Sequence, residues 1–205
     1  MLDQDIKSQL QSVFSSLTDS IQMEVDSSSH ADQSQLMELL QDVISTSPQL
    51  SLQMSSKNVA TPSFRLLKNH QATGIHFRGI PSGHEFTSLI LAILNASGQG
   101  KQPEEILKRR ILSLRGPIRI QTYISLTCEN CPDVVQALNL MATLRSDFQH
   151  EMIDGAYTQD EIQKLGIQGV PSIVVNAQMI HSGRINLIDL ISKLLISPLV
   201  GLHKA

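Results

Sequence analysis

The stretch Thr127-Cys128-Glu129-Asn130-Cys131-Pro132 contains both cysteines of this 205-residue chain. The apolar run 118–126 precedes it, and a segment of helical periodicity, 134–144, follows it. The pattern predicts a strand that leads into a helix, with a Cys-x-x-Cys pair at the junction. Unpaired N–H groups at a helix N-terminus favour a thiolate on Cys128, and thiolates attack disulfides. Cys131 can then resolve the mixed disulfide, so the pair is expected to carry electron pairs.

The composition restricts the partners and the location that we expect. The chain has 16 Lys and Arg against 19 Asp and Glu, without a basic stripe, so no nucleic acid partner is expected. No apolar run approaches the roughly 18 residues of a membrane span, so no membrane partner is expected either. The acidic segment 1–5 has none of the features of a secretory signal, which predicts a cytoplasmic location. There, a close cysteine pair is more often catalytic or metal-binding than structural.

The two halves of the chain repeat one order of elements. After an opening helix in 6–17, the periodicity predicts strands near 21–26, 50–54, 64–67 and 75–77, with helices from 32 and from 83. In the second half it predicts strands at 118–126, 148–153, 173–175 and 179–181, with helices at 134–144, 158–165 and 187–196. Thr158 and Glu161 fit a capping box for the 158–165 helix, and Asn186 can cap the last helix, which Pro198 ends. The stretch 95–102 is rich in Gly, Ser and Gln, and within it 98–101 predicts a loop.

Thr61-Pro62-Ser63-Phe64 matches Val170-Pro171-Ser172-Ile173, each before a strand. The first half has Ser27 to His30 where the dithiol would lie, and no counterpart of the 158–165 helix. We therefore predict an α/β protein of two tandem thioredoxin-like folds packed as one unit, the second redox-active and the first vestigial. The expected division is 1–100, a connecting helix and linker at 101–117, 118–198, and the start of a linker at 199–205. Chance similarity between two β-α-β patterns is the alternative.

Zinc binding is the main alternative use of the cysteine pair. A structural zinc site needs four ligands, and the nearest candidates, His70 and His76, lie far upstream around a predicted hairpin. The strand-to-helix context favours a redox pair. No metal is therefore expected.

Val170 and Pro171 lie about forty residues after the cysteines, where thioredoxin-like folds place a cis-proline opposite the disulfide. A proline lacks an N–H, which keeps a neighbouring edge free for a substrate strand. An ordinary proline at the start of a strand is the alternative. Thr127 is a further candidate for substrate binding: its hydroxyl could hydrogen-bond the thiolate or cap the helix, and capping is favoured.

The segment 123–141 resembles the redox segment in the N-terminal domain of the alkyl hydroperoxide reductase flavoprotein subunits, AhpF. Gly83-His84-Glu85-Phe86-Thr87-Ser88-Leu89 is similar to a second signature of that family. The resemblance covers nearly the whole chain and implies an electron relay. In the family, flavin and pyridine-nucleotide domains reduce a second dithiol, which reduces the N-terminal one. That dithiol then reduces the disulfide of a peroxiredoxin of the AhpC type.

The resemblance also implies roles for individual residues. Cys128 is expected to attack and Cys131 to resolve, while Glu85 resembles an acid held near the dithiol that accepts or returns a proton. The alternative for Glu85 is a first-turn carboxylate that stabilises its own helix. Glu129 places a negative charge beside Cys128, which opposes thiolate formation and favours a reducing couple.

The family would continue into its flavin domain where this sequence stops, so we expect no cofactor here. FAD and NAD(P)H belong to the remainder of the family's chain. The Gly-rich stretch Gly98-Gln99-Gly100-Lys101 follows a predicted helix, which is not the strand-to-helix setting of a dinucleotide fingerprint. Two other functions stay open: a general protein disulfide oxidoreductase or isomerase of tandem thioredoxin type, and an interaction module whose cysteines have no redox role.

Overall fold

One mixed sheet passes through the whole of the computed structural model, which describes residues 2–197. Within these residues there are eight strands and seven α-helices. The helices are α1 (Gln4–Phe14), α2 (Gln33–Ile44), α3 (Phe86–Ser97), α4 (Glu105–Leu112), α5 (Cys131–Leu144), α6 (Gln159–Leu165) and α7 (Leu187–Ile196). The strands are β1 (Ile21–Ser28), β2 (Leu50–Val59), β3 (Ser63–Lys68), β4 (Gln71–Arg78), β5 (Ile118–Ile124), β6 (Phe148–Asp154), β7 (Ser172–Val175) and β8 (Gln178–Ser182).

The strand order confirms the predicted repetition. The sheet runs β2-β1-β3-β4-β6-β5-β7-β8, so each half contributes four strands in the same internal order. We call α1 to α3 with β1 to β4 the first fold, and β5 to β8 with α5 to α7 the second fold. As expected, α6 lies between β6 and β7 and has no counterpart between β2 and β3. The two folds are therefore tandem thioredoxin-like units joined edge to edge.

The junction between the folds determines what lies near the cysteines. β4 pairs in parallel with β6 from Ile75–His150 to Arg78–Ile153, and β5 pairs in parallel with β6 on its other side. Parallel strands end at the same edge of a sheet. The segment that follows β4 in the first fold and the segment that follows β5 in the second therefore lie at one edge. α3 also packs directly against α5.

The main hydrophobic core extends across both folds and consists mostly of Leu, Ile, Val and Phe. Phe64 and Phe77 stack with ring centroids 5.0 Å apart in the first fold. A smaller cluster lies beneath α6 and contains Tyr123, Ile153 and Val174. Buried side chains thus cover both faces of the sheet of the second fold. This close packing holds β5 and the start of α5 in place.

The capping box predicted at the start of α6 is wrong. Thr158 makes no side-chain hydrogen bond to the helix, and its hydroxyl donates instead to Asp154 O at 3.5 Å. Glu161 turns away to accept hydrogen bonds from Arg78 and Tyr123. Tertiary partners therefore replace the local capping bonds.

The predictions at the other helix ends have mixed outcomes. Asn186 caps α7, because its Oδ1 accepts from Asp189 N at 2.9 Å. α3 ends at Ser97, with Gly98 (φ 83°) as its C-cap residue, so the loop predicted at 98–101 is confirmed. Pro198 and the linker predicted at 199–205 lie outside the described residues. Among residues 2–197, no helix combines the length and apolarity needed to cross a lipid bilayer.

Candidate redox site

Cys128 and Cys131 form a disulfide at the junction of β5 and α5, with their Cα atoms 5.5 Å apart. Cys131 is the first residue of α5 and is fully buried. Cys128 precedes the helix, is only half-buried, and donates its N–H to Ser125 O at 3.0 Å. The sulfur that solvent and a partner can reach therefore belongs to Cys128. The predicted strand-to-helix context of the pair is confirmed.

Val170 and Pro171 lie against the disulfide, although they are about forty positions away along the chain. The Val170–Pro171 peptide bond is cis, and Val170 O lies 3.8 Å from Cys128 Sγ. A disulfide sulfur carries no hydrogen, so this contact is non-bonded in the oxidised state. A thiol at Cys128 could donate to the same carbonyl. The peptide bond before Pro62, the matching residue of the first fold, is not cis.

Thr127 does not cap α5. The N-cap position belongs to Asn130, which makes no side-chain bond to the helix. Thr127 is exposed, and its Oγ1 lies 3.1 Å from Ser125 Oγ. Its hydroxyl is too early in the chain to reach the first turn, because three residues separate it from Cys131. The capping expectation is wrong, and Thr127 instead lies at the solvent-facing rim of the site.

Glu85 is fully buried at the end of the 3-10 turn Gly83–Glu85. Neither of its carboxylate oxygens has a hydrogen-bond partner, and the side chain does not cap α3. Burial raises the pKa of Glu85 to about 7, and the nearby Ser88 hydroxyl opposes part of that rise although it makes no well-aligned hydrogen bond. Glu85 therefore forms no side-chain cap on α3, and the alternative in which its first-turn charge stabilises the helix stays a prediction.

The turn that carries Glu85 contacts the loop that leads to the dithiol. His84 N donates to Leu126 O at 3.4 Å, and Leu126 is two residues before Cys128. This contact follows from the topology, since the turn follows β4 and the loop follows β5 at one edge of the sheet. The first fold therefore contacts the loop that leads to the redox site of the second fold.

His150 lies in a buried polar cluster beneath α5. Its Nδ1 lies 2.7 Å from Asn139 Oδ1 on α5, and its Nε2 lies 2.9 Å from Thr122 Oγ1 on β5. Burial, with a smaller effect from His76, lowers the pKa of His150 to about 3, so the imidazole is neutral. A neutral ring donates from one nitrogen and accepts at the other, which matches these two partners. The sequence signal that could have revealed this cluster is Asn139, a polar residue on the apolar face of α5.

The histidines considered for zinc lie apart from the cysteines. His70 is exposed and lies 3.3 Å from Gln22 Oε1, while His76 is on β4. Among residues 2–197, no group of three or more His, Cys, Asp or Glu side chains could hold a metal ion. A cleft of about 730 Å³ opens between the folds near Arg78 and Tyr157, but neither cysteine lines it.

Known proteins resemble this chain along nearly all of its length. A family described as Thioredoxin domain matches residues 118–196. The alkyl hydroperoxide reductase protein AhpF of Staphylococcus aureus is 39% identical over 194 residues, which are 95% of this chain and 38% of the relative. AhpF of Pseudomonas aeruginosa is 37% identical over 195 residues, again 95% of this chain and 37% of the relative. The chain thus spans less than two-fifths of the length of these curated relatives.

Solved structures agree with the sequence relatives. The NTD_N/C domain of alkylhydroperoxide reductase AhpF from Enterococcus faecalis superposes with a TM-score of 0.87 at 29% identity, covering 95% of this chain and 100% of that one. A protein disulfide oxidoreductase from Aeropyrum pernix superposes with a TM-score of 0.81 over 95% of this chain and 93% of that one. At 20% identity, the second likeness shows the fold alone. The chain therefore matches the N-terminal, tandem thioredoxin-like region of the AhpF subunits of alkyl hydroperoxide reductases.

Proposed function

We propose that this chain is a thiol–disulfide exchange relay, which passes reducing equivalents through Cys128 and Cys131 to the disulfide of a peroxiredoxin. The observation that carries the proposal is the arrangement of the two sulfurs. One is accessible beside Val170 O, and the other is buried at the first residue of α5. Only the accessible sulfur can be attacked by, or attack, another protein.

The exchange balances in electrons and protons at each stage. An upstream dithiol reduces the Cys128–Cys131 disulfide by two electrons and two protons and is itself oxidised to a disulfide. The Cys128 thiolate then attacks one sulfur of the partner disulfide, which forms a mixed disulfide and releases one partner thiolate. The Cys131 thiolate attacks Cys128 Sγ, which restores the internal disulfide and releases the second partner thiolate. Protons taken up by the partner thiolates match those lost by the two cysteines.

Glu85 is proposed to take the proton of Cys131. A buried thiol cannot lose its proton directly to solvent, and a carboxylate with a pKa of about 7 can both accept and return one near neutral pH. A buried carboxylate without a hydrogen-bond partner costs stability, so its presence beside a redox loop needs a reason. A role in proton transfer supplies that reason.

The edge next to Val170 and Pro171 is proposed to receive the partner's disulfide segment. Pro171 has no N–H to donate, and Val170 O already faces Cys128, so an extended segment can lie across this edge with its sulfur at Cys128 Sγ. Thr127, exposed at the rim, is proposed to contact the same segment. In this arrangement Cys131 stays buried and out of contact with the partner's segment.

The likeness to the AhpF relatives supports the remaining assignments. We propose that the upstream donor is a second dithiol in flavin and pyridine-nucleotide domains, that the acceptor is an AhpC-type peroxiredoxin, and that the relay works in the cytoplasm. We also retain the division of the chain at 1–100, 101–117 and 118–198. FAD and NAD(P)H are assigned outside residues 2–197. The stretch Gly98-Gln99-Gly100 ends a helix, so it does not form the strand-to-helix phosphate cradle of a dinucleotide site.

A trapping experiment with the full chain tests the proposal. Reduced Cys131→Ser protein mixed with a disulfide-form AhpC-type peroxiredoxin is expected to accumulate a mixed disulfide that dithiothreitol releases. The matched variant Cys128→Ser should trap nothing. Trapping by Cys128→Ser alone would reverse the attacker and the resolver, and trapping by neither would reject the relay. A reduction potential far above roughly −270 mV would favour a general disulfide oxidase instead.

A further inference from the structure

The turn Gly83–Glu85 approaches the redox loop so closely that a side chain at position 83 would be crowded. Gly83 has a φ of 55°, and a Cβ added there would lie 3.0 Å from Leu126 O. The next residue, His84, donates its N–H to that same carbonyl at 3.4 Å. Position 83 therefore favours glycine for two reasons: its left-handed backbone conformation and the nearness of another backbone.

Glu85 is connected to the second fold on both sides. On the N-terminal side, its N–H donates to Ser82 O at 3.0 Å, which closes the turn that contacts Leu126. On the C-terminal side, Ser88 Oγ accepts a hydrogen bond from Gln136 Nε2 of α5 at 3.3 Å. Ser88 is fully buried. Residue 85 thus lies in the chain between two contacts, one with the loop before Cys128 and one with the helix that begins at Cys131.

We propose that Gly83 and Ser88 are positioning residues that set where Glu85 lies relative to the loop before Cys128 and to α5. This inference rests on the proton-transfer role of Glu85 proposed above. Gly83 sets how far the turn advances toward Leu126, and Ser88 sets how α3 lies on α5. Neither residue reacts, and each acts through Glu85.

A methyl group at position 83 would lie too close to one atom, so the surroundings would have to shift by a few tenths of an ångström. The nearest atom is a backbone oxygen whose movement would displace the loop that carries Cys128, so the turn itself is expected to retreat. Retreat admits water to Glu85 and reduces the desolvation that raises its pKa. Removal of the Ser88 hydroxyl has a separate effect: it takes away a group that lowers the pKa of Glu85 and a contact with Gln136.

Gly98 provides the matched control for Gly83. It lies at the far end of α3, has a φ of 83°, and no atom lies within 4 Å of an added Cβ. Gly98→Ala therefore imposes a similar backbone strain in the same fold without a contact on the redox loop. An effect of Gly83→Ala that Gly98→Ala lacks comes from the approach to Leu126.

The measurement is the pH dependence of the two thiolate releases when the reduced chain reacts with Ellman's reagent. The first release reports attack by Cys128, and the second reports resolution by Cys131. In the parent chain, the second rate should inflect near the pKa of Glu85, and Glu85→Gln should abolish that inflection. Gly83→Ala and Ser88→Ala should each move it by about half a pH unit or more, since both change the surroundings that set this pKa. Gly98→Ala should leave it in place.

The outcomes separate the inference from the proposed function. A second-release profile that Glu85→Gln does not change rejects proton transfer by Glu85, and the positioning roles with it. A profile that Glu85→Gln changes, but that Gly83→Ala and Ser88→Ala leave identical to Gly98→Ala, keeps the role of Glu85 and rejects the positioning. If Gly83→Ala does not fold, Ser88→Ala decides the question by the same comparison.

Discussion

Arg78 of the first fold binds Glu161 of the second with two parallel hydrogen bonds, Nη1 to Oε1 at 2.6 Å and Nη2 to Oε2 at 3.1 Å. Arg78 lies at the end of β4 and Glu161 in the first turn of α6, so the pair spans the strand junction that joins the folds. Glu151 of β6 adds a contact at 3.4 Å to Arg78 Nε. The side chain of Arg78 is only 18% exposed.

We expect Arg78→Met to destabilise the chain by about 2 kcal/mol, because it removes a bidentate pair and leaves two carboxylates without their cation. The partial exposure of Glu161 keeps the loss below that of a fully buried pair. Urea unfolding at pH 7 measures it. Arg109→Met is the control, since Arg109 makes an exposed pair with Glu105 that should contribute less than about 0.5 kcal/mol. Equal losses in the two variants would contradict a special role for the inter-fold pair.

Glu85→Gln is expected to stabilise the chain at alkaline pH. The pKa of Glu85 is about 7 in the folded chain and near 4.5 when unfolded, so the folded state binds the extra proton between these values. The contribution of Glu85 to the free energy of unfolding is therefore fully present below pH 4.5 and is lost as the pH rises through about 7. The variant should exceed the parent by roughly 2–3 kcal/mol at pH 8 and by little at pH 5.

Urea unfolding at both pH values measures the difference, with the exposed Glu129→Gln as a control that should change stability by less than about 0.5 kcal/mol. A gain of equal size at pH 5 and pH 8 would show that the ionisation of Glu85 is not its source.

His150 should produce a pH dependence of the opposite sign. Its pKa is about 3 when folded and near 6.5 when unfolded, so the unfolded chain binds more protons between these values. Its contribution to stability is present above pH 6.5 and is lost as pH falls. From pH 7 to pH 5, the parent should lose about 2 kcal/mol through this residue, a loss that His150→Gln removes.

Thr122→Val is the control for His150, because it deletes one hydrogen bond of the cluster but keeps the buried imidazole. It should lower stability at every pH and retain the acid-dependent loss. An unaltered pH dependence in His150→Gln would assign the acid sensitivity to other groups.

Asn186→Ala should cost about 1 kcal/mol of stability, because Asn186 Oδ1 accepts the hydrogen bond of Asp189 N at the start of α7. Asn130→Ala is the matched control, since Asn130 occupies the N-cap position of α5 without a side-chain hydrogen bond to the helix. That substitution should be nearly neutral in thermal unfolding. A cost at Asn130 as large as at Asn186 would mean that the capping bond is not the cause.

Much of the fold could be predicted because its signals are local. The apolar run that forms β5 and the periodicity of α5 lie on either side of Cys128 and Cys131 in the chain, so their junction required no tertiary information. The cap at Asn186 was equally local. The capping box at Thr158 failed because Glu161 has better partners in Arg78 and Tyr123, and Arg78 lies 83 residues away in the other fold.

The sequence by itself determined the dithiol, its place between a strand and a helix, the repeated order of elements and the match between Pro171 and Pro62. Tertiary structure alone decided that Glu85 is buried without a partner, that Gly83 meets Leu126, and that His150 is neutral beneath α5. The physical reason is the parallel pairing of β4 with β6, which brings the ends of β4 and β5 to one edge of the sheet. No spacing of residues along the chain encodes how closely two such segments approach, or how much water their contact excludes.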